Sequence, residues 1–212
     1  MTRPRFYFDF LSPYSYFAWV QLGARRAEFE AVPVVFGALL DANGTLGPAE
    51  VPAKRRFFIR DCLRLANRLG VPFCFPAYHP FMPVTALRLA VYELAGERQH
   101  DVIDAIWRAG WHDGGDLAEP AVLEAALDGI GLPGTDWLAR TRAPAIKQAL
   151  RANTERAVNA GIFGVPSFHI GDDVVWGSDR MHDVWALLAG EGALDPERVA
   201  AMEATPAGVV RK

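Results

Sequence analysis

The sequence predicts an α/β fold in which a βαβ unit and a ββα unit are separated by a long all-helical stretch. Three observations carry this. Alternating aromatic and β-branched runs fall only near the two ends of the 212-residue chain. Everything between Ala53 and Asn159 keeps a helical period. Gly and Pro residues punctuate each change of period.

The first strand is expected over Arg5–Phe10, where Phe6 and Phe8 alternate with Tyr7 and Asp9. Ser12-Pro13 then opens a helix whose apolar positions are Tyr16, Val20, Ala24 and Ala27, and Val32–Phe36 is a second, β-branched strand. Two strands with a helix between them imply a parallel βαβ unit with a right-handed crossover. Gly37–Pro52, with its Asn43-Gly44 pair, is expected to be loop. Phe58, Cys62, Leu65, Ala66 and Leu69 mark one helix face, and Val84, Leu87, Val91 and Leu94 another. Further helices are expected over Gln99–Ala109, Glu119–Leu127 and Thr135–Asn159, the last kinked or restarted at Pro144. Ser167–Ile170 and Val174–Trp176 flank Gly171-Asp172-Asp173 as a hairpin, followed by a helix over Arg180–Ala189 and a polar, loosely held tail. The sum is a thioredoxin-like fold (βαβ…ββα) split by an all-helical insertion: residues 1–40 and 160–212 form the thioredoxin-like domain, and 41–159 the insertion.

A hydrophobic content of 51% and a charged content of 22% are those of an ordinary globular chain. A net charge of −3 gives no general attraction to nucleic acid or anionic lipid. No apolar run reaches spanning length, and the N-terminus lacks a signal-peptide layout. Cys62 and Cys74 are too far apart for a Cys-x-x-Cys redox pair, and both are expected to pack as small hydrophobes, which fits a reducing cytoplasm. The histidines show no metal-ligand spacing and are expected to be structural. No Walker motif, dinucleotide fingerprint or nucleophile elbow is present.

Three motifs carry chemistry. Ser12-Pro13-Tyr14-Ser15 sits at the strand-to-helix junction where thioredoxin-like redox proteins place Cys-x-x-Cys. With serine at both positions the chain cannot exchange disulfides, but a hydroxyl there can donate to an external thiolate. The same Ser-Pro is also a well-formed helix start. Gly164-Val165-Pro166 precedes a strand. In thioredoxin-like folds such a proline is cis and lies opposite the redox dipeptide, leaving the preceding backbone free to pair with an extended peptide. Trp176-Gly177-Ser178-Asp179-Arg180 offers Ser178 or Asp179 as a helix N-cap. The same residues suit an amino-acid head group, with N–H groups for its carboxylate and Asp179 for its ammonium.

The Phe-Asp-Phe-Leu-Ser-Pro-Tyr-Ser run (residues 8–15), the Gly-Val-Pro loop, Gly-Ser-Asp-Arg (residues 177–180) and Val-Pro-Ala-Lys (residues 51–54) together resemble the kappa-class glutathione transferases. More closely they resemble their bacterial relatives, the 2-hydroxychromene-2-carboxylate isomerases, within the DsbA-like thioredoxin superfamily. The resemblance implies glutathione as cofactor, a small aromatic carboxylate as substrate, a cytoplasmic homodimer, and no nucleic-acid or membrane partner. It implies that Ser12 contacts the glutathione sulfur and Val165 pairs with the cysteinyl unit. Trp176, Gly177, Ser178 and Asp179 would hold the γ-glutamyl end. Asn43, Ala53 and Lys54 would lie near glutathione and substrate, with Lys54 suited to a carboxylate. Arg55 and Arg56 are expected to be a solvated helix start.

Tyr14 either covers the pocket, meets a phenolic substrate, or packs as a core ring. Met82 departs from the pattern, since a polar residue is expected after His-Pro-Phe. The activity implied is glutathione-dependent cis–trans isomerisation of 2-hydroxychromene-2-carboxylate to trans-o-hydroxybenzylidenepyruvate, in aromatic catabolism. Its alternatives are a glutathione transferase that conjugates electrophiles and a non-catalytic peptide-binding module.

Overall fold

In the computed structural model, which describes residues 3–192, 194–206 and 208, one four-stranded sheet carries the fold. Its strands are β1 (Arg5–Phe8), β2 (Glu30–Pro33), β3 (Ser167–Ile170) and β4 (Asp173–Trp176), in the order β2-β1-β3-β4. β1 pairs parallel with β2 (Tyr7 opposite Val32) and antiparallel with β3 (Tyr7 opposite Ser167); β3 and β4 form the expected hairpin. The helices are α1 (Pro13–Leu22), α2 (Phe36–Ala42), α3 (Pro52–Leu69), α4 (Val84–Leu89), α5 (Tyr92–Ala95), α6 (Gln99–Trp107), α7 (Pro120–Asp128), α8 (Gly134–Arg140), α9 (Pro144–Asn159), α10 (Met181–Leu188) and α11 (Pro196–Glu203).

Because side chains alternate along a strand, β1 feeds two apolar layers. Phe6 and Phe8 pack with Trp19, Phe168 and Trp107 on one face. Tyr7 packs on the other with Val32, Leu39, Ala157 and Val165. The first layer continues without a break into the insertion: Phe10 meets Trp107 at 4.6 Å between ring centroids, and the buried Trp111 indole N–H donates to the Phe10 carbonyl at 2.7 Å. Sheet and insertion therefore share one apolar cluster.

Five expectations need correcting. Gly37–Pro52 is not all loop, because α2 occupies its first part and a short 3-10 turn spans Pro48–Glu50. The second strand is displaced toward the N-terminus and ends at Pro33, since Phe36 already begins α2. Ala24 and Ala27 are exposed: Gly23, at φ +53°, ends α1, which is buried on almost every side. Cys74 is exposed while Cys62 is buried as expected; Phe73 and Phe75 turn inward, and the extended backbone sends the residue between them out. The polar tail contains α11, capped by the Asp195 carboxylate, which accepts from the Glu197 and Arg198 N–H groups. The long helix expected through Pro144 does restart there, at the first position of α9.

Candidate active site

The chain leaves β1 and turns into α1 at Ser12, which is 7% exposed. Its hydroxyl oxygen accepts from the Ser15 N–H at 3.3 Å, so the helix-start reading holds. The hydroxyl proton has no acceptor among the described residues. A group that caps with its lone pair keeps its donor free, so the cap leaves the Ser12 hydroxyl available to a ligand.

Opposite stands Val165, joined to Pro166 by the expected cis peptide bond. No hydrogen bond among the described residues engages the Val165 N–H or C=O, because β3 begins only at Ser167. That backbone is available to an extended ligand.

Ser12, Tyr14, Lys54, Val165 and Trp176 line one cavity of about 570 Å³. The remaining wall is mostly apolar: Phe36 and Leu40 from α2, Leu46–Pro48 from the loop beyond it, Phe58 from α3, and Phe163. Lys54, Glu50 and His79 are the ionisable or titrating side chains other than Tyr14 on that wall. Trp176 is 45% exposed and lies edge-on to Phe163, with ring centroids 5.1 Å apart. Gly164 lets the indole lie close, since an added Cβ would sit 2.7 Å from the Trp176 indole nitrogen and force it to shift.

Other expected site residues stand off the wall. Asn43 ends α2, and its amide donates to the Leu39 carbonyl at 2.8 Å. Ala53 is exposed in the first turn of α3. Gly177, Ser178 and Asp179 follow Trp176 at the cavity margin without lining it. Neither Ser178 nor Asp179 caps α10, whose cap position is Arg180 and carries no side-chain cap bond. Ser178 is buried, with its carbonyl held by Gln21, and Asp179 pairs with Arg180 at 3.1 Å. Met82 is 70% exposed and outside the cavity, so the departure there does not alter the pocket wall.

Tyr14 faces the cavity but donates its proton to Asp61 of α3 at 2.8 Å, edge-on to Phe58. Burial, and then that bond, hold its phenol well above the ordinary range. Arg55 is not a solvated helix residue, because it donates to the His79 carbonyl at 2.6 Å.

Two residues to which the motifs assigned no role complete the site. His79 stacks on Phe58 and places Nε2 3.0 Å from the Leu11 carbonyl; a carbonyl only accepts, so Nε2 carries the proton and Nδ1 the lone pair. Burial pushes its pKa below the usual value and keeps it neutral. Asp9, 1% exposed, accepts from the Leu11 and Phe36 N–H groups, both at 2.8 Å. Burial pushes its carboxyl up to about 7, against the pull of those two N–H groups. An acid closing an otherwise aromatic strand was the available signal for Asp9.

Comparison with known proteins gives the family and the fold. A family model described as the DSBA-like thioredoxin domain matches residues 5–189. A 2-hydroxychromene-2-carboxylate isomerase of Sphingobium xenophagum is 30% identical over 182 residues, covering 83% of this chain and 92% of that protein. Glutathione S-transferase kappa 2 of Caenorhabditis elegans is 26% identical over 204 residues, covering 87% and 91%. A solved structure of 2-hydroxychromene-2-carboxylate isomerase superposes with a TM-score of 0.78 at 22% identity, covering 95% of this chain and 99% of that one.

Proposed function

From the premise that the chain belongs to the DsbA-like thioredoxin family, in the group that includes 2-hydroxychromene-2-carboxylate isomerases and kappa-class glutathione transferases, we propose that it is a glutathione-dependent cis–trans isomerase of aryl pyruvates. Its substrate is 2-hydroxychromene-2-carboxylate and its product trans-o-hydroxybenzylidenepyruvate. The observation that carries this reading is the free Ser12 donor, aimed into a mostly apolar cavity at a position where a redox protein would hold cysteine.

The residues fit glutathione. Val165, whose N–H and C=O have no partner among the described residues, supports pairing with the cysteinyl unit, and in this reading Trp176 on the wall and Gly177, Ser178 and Asp179 after it take the γ-glutamyl end. When bound, glutathione would supply a thiolate for reversible conjugate addition to the ring-opened substrate. A thiol of this kind has a pKa of roughly 8.5–9, so the site must favour its ionised form. Ser12 does so by donating to the sulfur, and the N-terminus of α1 adds its positive end. Lys54 meets the substrate carboxylate, while Phe36, Leu40 and Phe58 exclude water from the ring. Ser12 is thus a stabiliser of someone else's nucleophile.

The test is to mix protein with 2-hydroxychromene-2-carboxylate, with and without glutathione, following the ultraviolet spectrum and total free thiol. Glutathione-dependent conversion with thiol unchanged is the expected result. Loss of thiol into an adduct would establish a transferase instead, and no reaction despite glutathione binding would move the substrate elsewhere.

A further inference from the structure

Asp9 stands where a fold would not ordinarily place a charge. Its side chain is 1% exposed and makes no ion pair among the described residues. What it holds is specific to the cavity. One carboxylate oxygen accepts the Leu11 N–H, in the turn that presents Ser12; the other accepts the Phe36 N–H, at the first position of α2. Its own carbonyl accepts the Ser12 N–H at 3.0 Å. α2 has no other side-chain cap, and Phe36, Gly37 and Leu40 form the wall facing Ser12. The Leu11 peptide is gripped from its other side too, because His79 donates to the Leu11 carbonyl and Arg55 in turn holds His79. Two N–H groups diverging from one point need two separate acceptor atoms. A carboxylate supplies them, whereas an amide supplies one acceptor and turns a donor toward the second N–H.

We propose that Asp9 is the positioning residue of the site: its carboxylate ties the Ser12 turn to the first turn of α2, and so sets the Ser12 hydroxyl in place against the apolar wall. This rests on the thiol-site reading above. Asp9 touches neither glutathione nor substrate and acts through Ser12 and Phe36. Burial brings its ionisation near neutrality, where the strength of the tie can be followed. Among the ionisable or titrating groups around the cavity, Lys54, Glu50 and Tyr14 belong to the wall, and His79 reaches the same turn from its other side.

The experiment uses the whole chain and its Asp9→Asn variant. In the wild type, the amide proton resonances of Leu11 and Phe36 should shift together with one midpoint near 7, and both shifts should vanish in Asp9→Asn. The pKa of bound glutathione, followed by thiolate absorbance, then discriminates by sign. Removing a nearby negative charge alone would lower it; a misplaced Ser12 donor raises it. We expect a rise of about one unit, hence about a tenfold loss of thiolate at neutral pH, with glutathione affinity changed less than about threefold. Turnover should fall by about the same factor in kcat with KM for glutathione little changed. Separate midpoints, a fall in the thiol pKa, or a kcat within about twofold of wild type would each overturn the proposal. Absence of turnover on the chromene substrate, with glutathione bound, overturns only the reading of the substrate; the amide titration and the sign of the thiol shift still decide the role of Asp9.

Discussion

Replacing Ser12 with alanine separates its capping role from the proposed donor role, because the two differ in size. The cap bond is long, 3.3 Å, and the same Ser15 N–H also reaches the Ser12 carbonyl at 3.0 Å. Loss of the hydroxyl therefore orphans no N–H, and the stability cost belongs at the low end for a cap, about 0.5 kcal/mol. For a chain of this length that is a fall in Tm of about 1–2 °C. The donor role is larger. A hydrogen bond to a charged group contributes about 1.5–3 kcal/mol, and one pKa unit is about 1.4 kcal/mol, so the bound thiol should rise by about one to two units. At a pH below the bound thiol's pKa the thiolate population, and with it the rate, should fall by about 10- to 100-fold. The assay is thiolate absorbance of bound glutathione against pH, in parallel with a thermal melt of each protein. A thiol pKa displaced by less than about 0.3 units, with glutathione still bound and the melt intact, would refute the assignment of Ser12 as thiolate donor.

The other expectations are smaller in scope. Asp9 has a folded pKa of about 7, above the ordinary carboxylate value, so the native state binds the extra proton in between and stability falls as pH rises. Relative to Asp9→Asn, the wild type should lose about 3 kcal/mol between pH 5 and pH 8 in urea titrations; parallel curves would contradict this. His79 acts with the opposite sign on the acid side, which is why the difference between the two proteins is the quantity to measure. Gly164→Ala forces the Trp176 indole aside and should weaken glutathione binding about tenfold by calorimetry while the fold persists; unchanged affinity would remove Trp176 from the binding surface. Trp111→Phe leaves the buried Phe10 carbonyl without its donor and should cost about 2–4 kcal/mol in denaturant unfolding, with an unchanged slope.

Much of this molecule is written locally. The alternation of Phe6, Tyr7 and Phe8, the Gly171 hairpin and the helix starts at Pro13 and Pro144 are short-range signals, and each marked its element to within a few residues. Ser12, Val165 and Trp176 were legible because backbone geometry at a strand end makes them useful whatever surrounds them. α2 was not, because it is short and its cap is Asp9, 27 residues earlier in the chain. Asp9 entered the strand reading only as part of an alternation; the folded chain shows the two N–H groups that its buried carboxylate holds. The exposure of Cys74 and the capped start at Asp195-Pro196 are different cases. Their signals were local and available, and the surrounding composition outweighed them. Asn43, Ala53 and Met82 show the reverse: nearness in sequence to a pocket loop does not bring a side chain onto its wall.

The order β2-β1-β3-β4 has a consequence for how this chain is made. β1 is a central strand, yet Arg5 finds its partner at His169, so one whole side of the strand stays unpaired until most of the polypeptide has left the ribosome. Early in that interval Phe6, Phe8 and Phe10 have only nearby segments such as α1 to pack against. Contacts so distant along the chain are slow to close, and bare aromatic strands invite association with neighbouring chains. Trp107 and Trp111, which emerge earlier than β3 and pack against the same rings, are placed to act as an internal guard during synthesis. The helical segment that carries Trp107 and Trp111 precedes β3 in the chain, so its contacts with these rings can form before the β1–β3 pairing.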